Sequence, residues 1–500
     1  MSNPNTFSPA PRWLVWFGVL ALLGYELVVA ANFSPVAAGA DASGYLNSAL
    51  LLAHGQLLTR ERAIPELQVA SPYHLVPLGF VCESTPGSTR LAPSYPVGMP
   101  LLLVLAKGLT NRQLAPFLVG IGSALAAIWL CYLVGRELGL SALLAAVGAA
   151  ALGLSPMFMF IAVQTLSDVV ATMWCLLAVY AALRARRSTW WWASGCGAAY
   201  AIAVLVRPSN IVLLPALVFF LGHWRRLFWC VLGGLPGALW LAFYQHRLYG
   251  DALRSGYGDI FGCFRASNFA PTMRHFAYWL ACFLPSVLLL LPLGALRQWR
   301  RRWRDLAALG LWGGAVIGFY AYYDVSKEVW WCLRFILPAF PPLILAGLLG
   351  LEELCGELPV HFIARGRAVA AAVLALWTVA ESVYWTKELN AVGGQSSERA
   401  YADVCAWSAA NLPANSVVAC MAASGSFYYY TNLPILRWDQ VELSHFRNYG
   451  SALLKAGRPL YAVLFVSEQD SALKDHMPGR WEKITSVHDV GIWKLISVTP

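Results

Sequence analysis

The chain alternates long apolar runs with short polar breaks. Eleven runs stand out, at about 12–31, 113–134, 140–157, 167–183, 189–206, 209–222, 227–246, 276–296, 305–323, 335–351 and 368–386. Each approaches the roughly 20 apolar residues that a bilayer-spanning helix needs, with 209–222 the shortest. The pattern predicts about eleven transmembrane helices. The first run is too long for a signal-peptide core and is expected to persist as a helix. The stretch 98–109 is apolar but too short to span, which predicts a helix lying on or dipping into the interface. After about residue 390 the pattern changes. Apolar strands at 416–420, 459–466 and 491–495 alternate with amphipathic helices at about 400–412 and 443–456. That is the signature of a small α/β domain. The expected organisation is a polytopic α-helical membrane domain over 1–390, with a long first loop at 32–112, and an α/β domain over 391–500. No internal repeat is visible, which argues against a transporter built from duplicated halves.

Composition supports this class. The 500 residues are 58% hydrophobic and only 12% charged, where soluble chains carry about 25% charge. The net charge of +10 needs no nucleic acid to explain it. With the N-terminus inside, the basic clusters fall on one side: Arg136; Arg184, Arg186 and Arg187; Arg225 and Arg226; Arg297 to Arg304; Arg365 and Arg367. This predicts a cytoplasmic N-terminus and an extracytoplasmic C-terminal domain. Tryptophans such as Trp190–Trp192 and Trp330–Trp331 suit interfacial belts. The 11 cysteines show no zinc or CxxC spacing; Cys405 and Cys420 are the pair to consider for a disulfide in an oxidising compartment.

Candidate chemistry sits in the segments assigned to the outer side. Asp41-Ala-Ser-Gly44-Tyr45 opens a short helix with Leu46, Leu50, Ala53 and Leu57 as one apolar stripe, closed by Gly55. That predicts a helix lying flat at the outer membrane surface. Asp41 and Tyr45 are neighbours at i and i+4. Asp41 has two compatible readings, a helix N-cap and a general base. Asp168 opens a later span, where an acid near hydrocarbon is costly unless it faces a wet cavity. Inner arginines follow from orientation; outward ones do not. Arg90, Arg207, Lys327 and Arg334 are among the outward cations that would suit an anionic phosphate. There is no P-loop, HExxH, GxSxG, GxGxxG after a strand, or DxD, so ATP hydrolysis, metalloprotease and serine-hydrolase chemistry have no support.

The order of motifs resembles a family. A first span is followed by Asp41-x-x-Gly-Tyr-x-x-x-Ala, then Tyr95-Pro-Val-Gly-Met-Pro100, Leu154-Ser-Pro156, Ser167-Asp168, Arg207-Pro208 and Arg334-Phe-Ile-Leu-Pro338. It resembles the GT-C integral-membrane glycosyltransferases, in the dolichyl-phosphate-mannose mannosyltransferase and aminoarabinose-transferase branch, over residues 12–350. The resemblance implies transfer of a sugar, with inversion, from a polyprenyl-phosphate donor to a lipid, glycan or protein acceptor outside the cytoplasm. It makes Asp41 the catalytic base or an acceptor-positioning residue and places Asp168, the Tyr95 segment and the Arg334 segment at substrate-binding positions, Arg334 near the donor phosphate. It implies a bacterial inner-membrane enzyme. No cofactor is required; a divalent cation is admitted but not demanded. The chain departs from the mannosyltransferases in having Asp41-Ala rather than Asp-Glu, and it lacks the Trp-Trp-Asp of oligosaccharyltransferases. Two rival classes are a flippase of lipid-linked sugars, which would place ionisable residues at mid-span, and a non-catalytic membrane scaffold, in which Asp41 would be only a cap.

Overall fold

The computed structural model of the chain describes residues 10–83, 88–187, 190–258, 261–284 and 290–498. Its contacts divide into two compact units. One comprises 1–33, 116–240 and 259–393, the other 34–115, 241–258 and 394–500.

The first unit is helical. Among the described residues, six helices are long and apolar enough to cross a membrane: Arg12–Asn32, Ala115–Glu137, Ser167–Ala185, Trp224–Tyr249, Trp330–Gly356 and Val360–Glu388. A seventh span is obtained if Ala142–Gly153 and Pro156–Ala162, bent by 60° at Ser155-Pro156, are counted as one. The expected run at 276–296 lies partly outside the described residues, and three other runs form helices of a different kind. Trp190–Val206 and Pro208–Leu221 are short, the latter beginning as a 3-10 turn. Leu291–Ala321 carries its arginines within the helix. The apolar pattern therefore marks helices better than it counts spans, because hydropathy does not register where a helix breaks. Direct backbone contact joins two of these helices. A Cβ on Gly197 would lie 1.8 Å from the Cys230 carbonyl oxygen, and one on Gly233 would lie 2.0 Å from that of Ser194. Such small-residue contacts are how helices pack where hydrophobicity alone cannot drive association. Trp16, Phe17, Leu20 and Leu27 on the first helix are exposed, as lipid-facing residues are.

The second unit contains two sheets, with strands numbered β1 to β8 along the chain. Thr59–Arg60 (β1), Phe80–Cys82 (β2) and Arg90–Pro93 (β3) form a small antiparallel sheet in the order β1-β3-β2. Val417–Ala419 (β4), Ile435–Leu436 (β5), Leu460–Phe465 (β6), Gly479–Val487 (β7) and Val490–Val498 (β8) form a mixed sheet in the order β5-β4-β6-β8-β7. The helices Gln395–Asn411 and Leu443–Lys455 accompany the mixed sheet. Apolar side chains of the first loop, Ile64, Leu67 and Leu75, join Val417, Leu436 and Leu464 in one core. The long loop thus folds as part of the α/β unit rather than apart from it. Cys405 and Cys420 lie in the same cluster as separate, buried thiols, so the disulfide considered above is not formed.

Candidate functional site

The Asp41 helix runs Gly39–Ala53. It starts three residues earlier than an Asp41 cap requires. Ala38 occupies the N-cap and makes no side-chain cap bond, so Asp41 is a first-turn residue and not the cap. Its carboxylate still gains from the positive end of the helix dipole. The helix does not show one apolar stripe at a surface: Ala42 to Ser48 are all buried. The reason is polar as well as apolar. The Asn47 amide donates to the Gly425 carbonyl at 2.9 Å, and Ser426 Oγ donates to the Ala37 carbonyl at 2.5 Å. The helix Ser424–Tyr430 thereby clamps its first two turns. Gly55, at φ +67°, ends the helix in the left-handed conformation expected of a C′ glycine.

Gly44 explains the Asp-x-x-Gly-Tyr spacing. A Cβ there would lie 2.3 Å from Tyr95 Cδ2, so only glycine lets the Tyr95 ring lie directly on the helix. Tyr45 and Tyr95 rings are 5.1 Å apart, and Tyr257 meets Tyr95 edge-on at 5.9 Å. The loop bearing Tyr257 is held down by Tyr249, whose hydroxyl donates to the Pro93 carbonyl at 2.6 Å. Its Gly256 packs on Ser94, with room for no side chain. Tyr95 hydrogen-bonds Asp41. Burial first, and the Asp41 charge second, hold this phenol protonated, so it donates to the carboxylate. A second carboxyl stands close by. Glu398, half-buried in the first turn of Gln395–Asn411, is pushed up to about 7 by burial and then by the Asp41 charge. Arg90 is not part of this group: its side chain is exposed on β3, opposite Arg60.

The helical unit contains four of the other expected residues, Asp168, Arg207, Lys327 and Arg334. Asp168 is buried in the first turn of Ser167–Ala185 and forms an ion pair with Arg207. Phe335 organises the cations around it. The Arg207 guanidinium lies 5.7 Å and that of Arg334 5.3 Å from its ring centroid. Tyr320 stacks on the same ring at 5.3 Å, while its hydroxyl is hydrogen-bonded to Ser209 at 2.7 Å; Tyr323 meets Phe335 edge-on at 5.5 Å. Lys327 follows in the turn after Tyr323 and donates to Asn268, whose amide in turn donates to the Tyr322 carbonyl at 3.2 Å. Arg207 and Arg334 thus share one braced aromatic frame, while Lys327 is held by Asn268 and by Asp324 at 3.4 Å. Among the described residues, no group of three or more His, Cys, Asp and Glu side chains is placed to hold one metal ion.

Sequence reasoning missed Glu398, Tyr257 and Phe335. Glu398 lies just ahead of the start expected for its helix, at about residue 400, and far along the chain from Asp41. Tyr257 stood in view in Ser255-Gly-Tyr257-Gly, where the glycines were the only signal of close packing. Phe335 is adjacent to Arg334, and nothing in spacing reveals that it faces two guanidinium groups.

No family model matches the chain, and no curated protein is similar to it in sequence. Solved structures are similar in fold. ArnT from Cupriavidus metallidurans bound to undecaprenyl phosphate aligns with a TM-score of 0.62 at 15% identity, over 98% of this chain and 100% of that one. The Archaeoglobus fulgidus oligosaccharyltransferase tethered to an acceptor peptide aligns with a TM-score of 0.55 at 12% identity, over 91% of this chain and 70% of that one. The mycobacterial arabinofuranosyltransferase AftD aligns with a TM-score of 0.53 at 15% identity, over 98% of this chain and 40% of that one. The chain has the GT-C fold that these membrane glycosyltransferases share.

Proposed function

We propose that the protein is a membrane glycosyltransferase that moves a sugar from a polyprenyl-phosphate donor to an acceptor hydroxyl outside the cytoplasm, with inversion. The observation that carries the reading is the Asp41 carboxylate, fixed in a helix first turn and hydrogen-bonded by a phenol that stays protonated. The GT-C fold supports it, and the ArnT neighbour was crystallised with undecaprenyl phosphate.

In this reading Asp41 is the general base. As the acceptor oxygen attacks the anomeric carbon, its proton passes to Asp41. The bond from that carbon to the phosphate oxygen breaks, and its electron pair leaves on the phosphate. General-base catalysis of this kind contributes about 10²–10⁴ in rate. Tyr95 holds the carboxylate in one orientation, and Tyr45 walls the same group. Arg334, Lys327 and Arg207 meet the anionic donor and stabilise the charge that grows on its phosphate. Asp168 acts through Arg207 and is a positioning residue. The scheme requires no cofactor and does not demand a metal. The acceptor is a lipid, a glycan or a protein side chain bearing a hydroxyl.

The test is reconstitution of the full chain with a panel of polyprenyl-phosphate sugars, with sugar release or transfer measured alongside donor binding. Donor-dependent turnover that inverts the anomeric configuration is the expected result. Binding of no donor in the panel, or binding with transport and no bond cleavage, would overturn the assignment.

A further inference from the structure

Far from the Asp41 group in the chain, the helical unit contains a second polar feature that the proposed reaction does not use. A cavity of about 360 Å³ is lined by Arg186, Arg226, Arg302 and Arg304 against a single carboxylate, Asp305. That volume is in the range of small-ligand sites. All four arginines belong to loops that the charge pattern assigns to the cytoplasmic side.

Orientation explains why arginines are abundant in these loops. It does not explain how they are held. Arg186 Nε donates to the Phe220 carbonyl at 2.5 Å while its Nη1 pairs with Asp305 at 2.6 Å. Arg226 donates to the Leu221 carbonyl at 3.0 Å and to that of Arg186 at 3.0 Å. Arg302 donates to the Leu138 carbonyl. Each of these oxygens lies at or just past the end of a helix, where unpaired carbonyls and the negative end of the dipole favour a cation. Gly222, at φ +63°, ends the helix Leu214–Leu221 and leaves the Phe220 and Leu221 carbonyls to the arginines. A guanidinium has five N–H donors, and the contacts just named use only some of them. Arg304 makes no ion pair among the described residues; its guanidinium lies 5.6 Å from the Trp303 ring centroid.

The chain also breaks in the right place. Arg302 has non-helical angles, φ −132° and ψ 28°, within Leu291–Ala321. In an unbroken helix, four successive side chains point to four different sides. Here Arg302, Trp303, Arg304 and Asp305 all line the one cavity. The walls are amphipathic. Phe219 and Trp303 meet edge-on at 6.4 Å, and both are exposed at the cavity margin. Exposed aromatic rings of this kind mark the level of lipid headgroups.

We infer that this cavity binds the phosphate of an anionic membrane lipid, with the arginine forks on the phosphate oxygens and the Phe219–Trp303 pair against the glycerol and upper acyl chain. Guanidinium groups match phosphate oxygens in a bidentate manner. Basic pockets between helices on the cytoplasmic side are a recurrent way of holding anionic headgroups. The aromatic margin selects a lipid over a free anion.

The experiment is native mass spectrometry of the full chain extracted from nanodiscs of equal phosphatidylglycerol and phosphatidylcholine. Thermal melting in the same lipids is measured alongside, and inorganic phosphate serves as a separate probe. Wild type should retain phosphatidylglycerol in preference. Arg304→Gln, an exposed position outside any ion pair named here, should keep its melting temperature in phosphatidylcholine and lose about fivefold in phosphatidylglycerol retention. Arg302→Gln should lose a similar amount. Arg225→Gln, in the same charged loop but outside the cavity lining, should match wild type. Equal retention of the two lipids would overturn the inference. So would an equal loss in Arg225→Gln, which would mean a diffuse basic surface. Protection by inorganic phosphate without any phosphatidylglycerol preference would overturn the lipid as the source of the phosphate.

Discussion

Asp41 and Asp168 are the same residue type in the same local setting, the first turn of a helix, yet their neighbours differ in kind. Asp168 is buried against the Arg207 guanidinium. Asp41 accepts from the Tyr95 phenol and stands beside the Glu398 carboxyl. A buried carboxylate paired with a cation ties its removal to stability, because the cation is then left buried and unpaired. A protonated phenol orients the carboxylate through a hydrogen bond. The helix dipole favours an acid at either place, so position in the helix does not distinguish their roles. The neighbours do: Asp168 is read as architecture and Asp41 as chemistry.

The comparison breaks most readily on stability. Asp168→Asn leaves the Arg207 charge half-buried without its ion-pair partner, and loss of about 3–5 kcal/mol is expected from such a change. Thermal or denaturant unfolding in detergent checks it, and adding Arg207→Gln should recover part of the loss. Asp41→Asn should cost less than about 1 kcal/mol, because an amide still accepts from Tyr95. If the two variants are equally unstable, the distinction between them fails.

Glu398 sharpens the contrast through pH. Its carboxyl is raised from 4.5 to about 7, so the folded chain holds a proton there that the unfolded chain releases. The stability linked to that proton is complete below about 4.5 and is lost as pH rises through about 7. Glu398→Gln should flatten this decline and make the variant the more stable protein at pH 8, by up to roughly 3 kcal/mol. The groups facing Glu398 include Asp41 and Tyr401. Parallel melting curves of variant and wild type from pH 5 to 8 would remove Glu398 from the Asp41 group.

Gly44→Ala tests the packing that aims Tyr95. The added methyl collides with the ring, and overpacking of this sort costs about 1–3 kcal/mol. Turnover should fall further than stability, since the phenol is displaced from the base; retained turnover at wild-type levels would mean that Tyr95 does not orient Asp41. The smallest expected effect is at the phosphate end. Arg334→Gln should raise the donor KM about tenfold, the worth of one charge-assisted hydrogen bond, with less change in kcat. An unchanged donor KM would take Arg334 out of donor recognition.

Much of this contrast was legible in the residues, and the gaps have physical causes. The Asp41-x-x-Gly-Tyr spacing marked the helix, its base and the glycine. It did not show that Gly44 receives Tyr95, because that contact joins segments about fifty residues apart. Arg207 and Asp168 were singled out separately, and their pairing depends on how two helices pack. Arg90 was selected for its charge alone; the strand register leaves it exposed. The α/β domain was visible in its alternating strands, but β7 was not. Its burial pattern mixes exposed and half-buried positions, so it lacks the apolar signal that betrayed β6. Glu398 was hidden because burial, which raises it, is a tertiary property.

The central claim is that Asp41 is the base. It is tested most directly by single-turnover transfer from a polyprenyl-phosphate sugar, with donor affinity measured on the same preparation, for wild type and Asp41→Asn. The account predicts donor affinity within about twofold of wild type and a transfer rate lower by about 10²–10⁴. A folded Asp41→Asn variant that transfers sugar at the wild-type rate would contradict it.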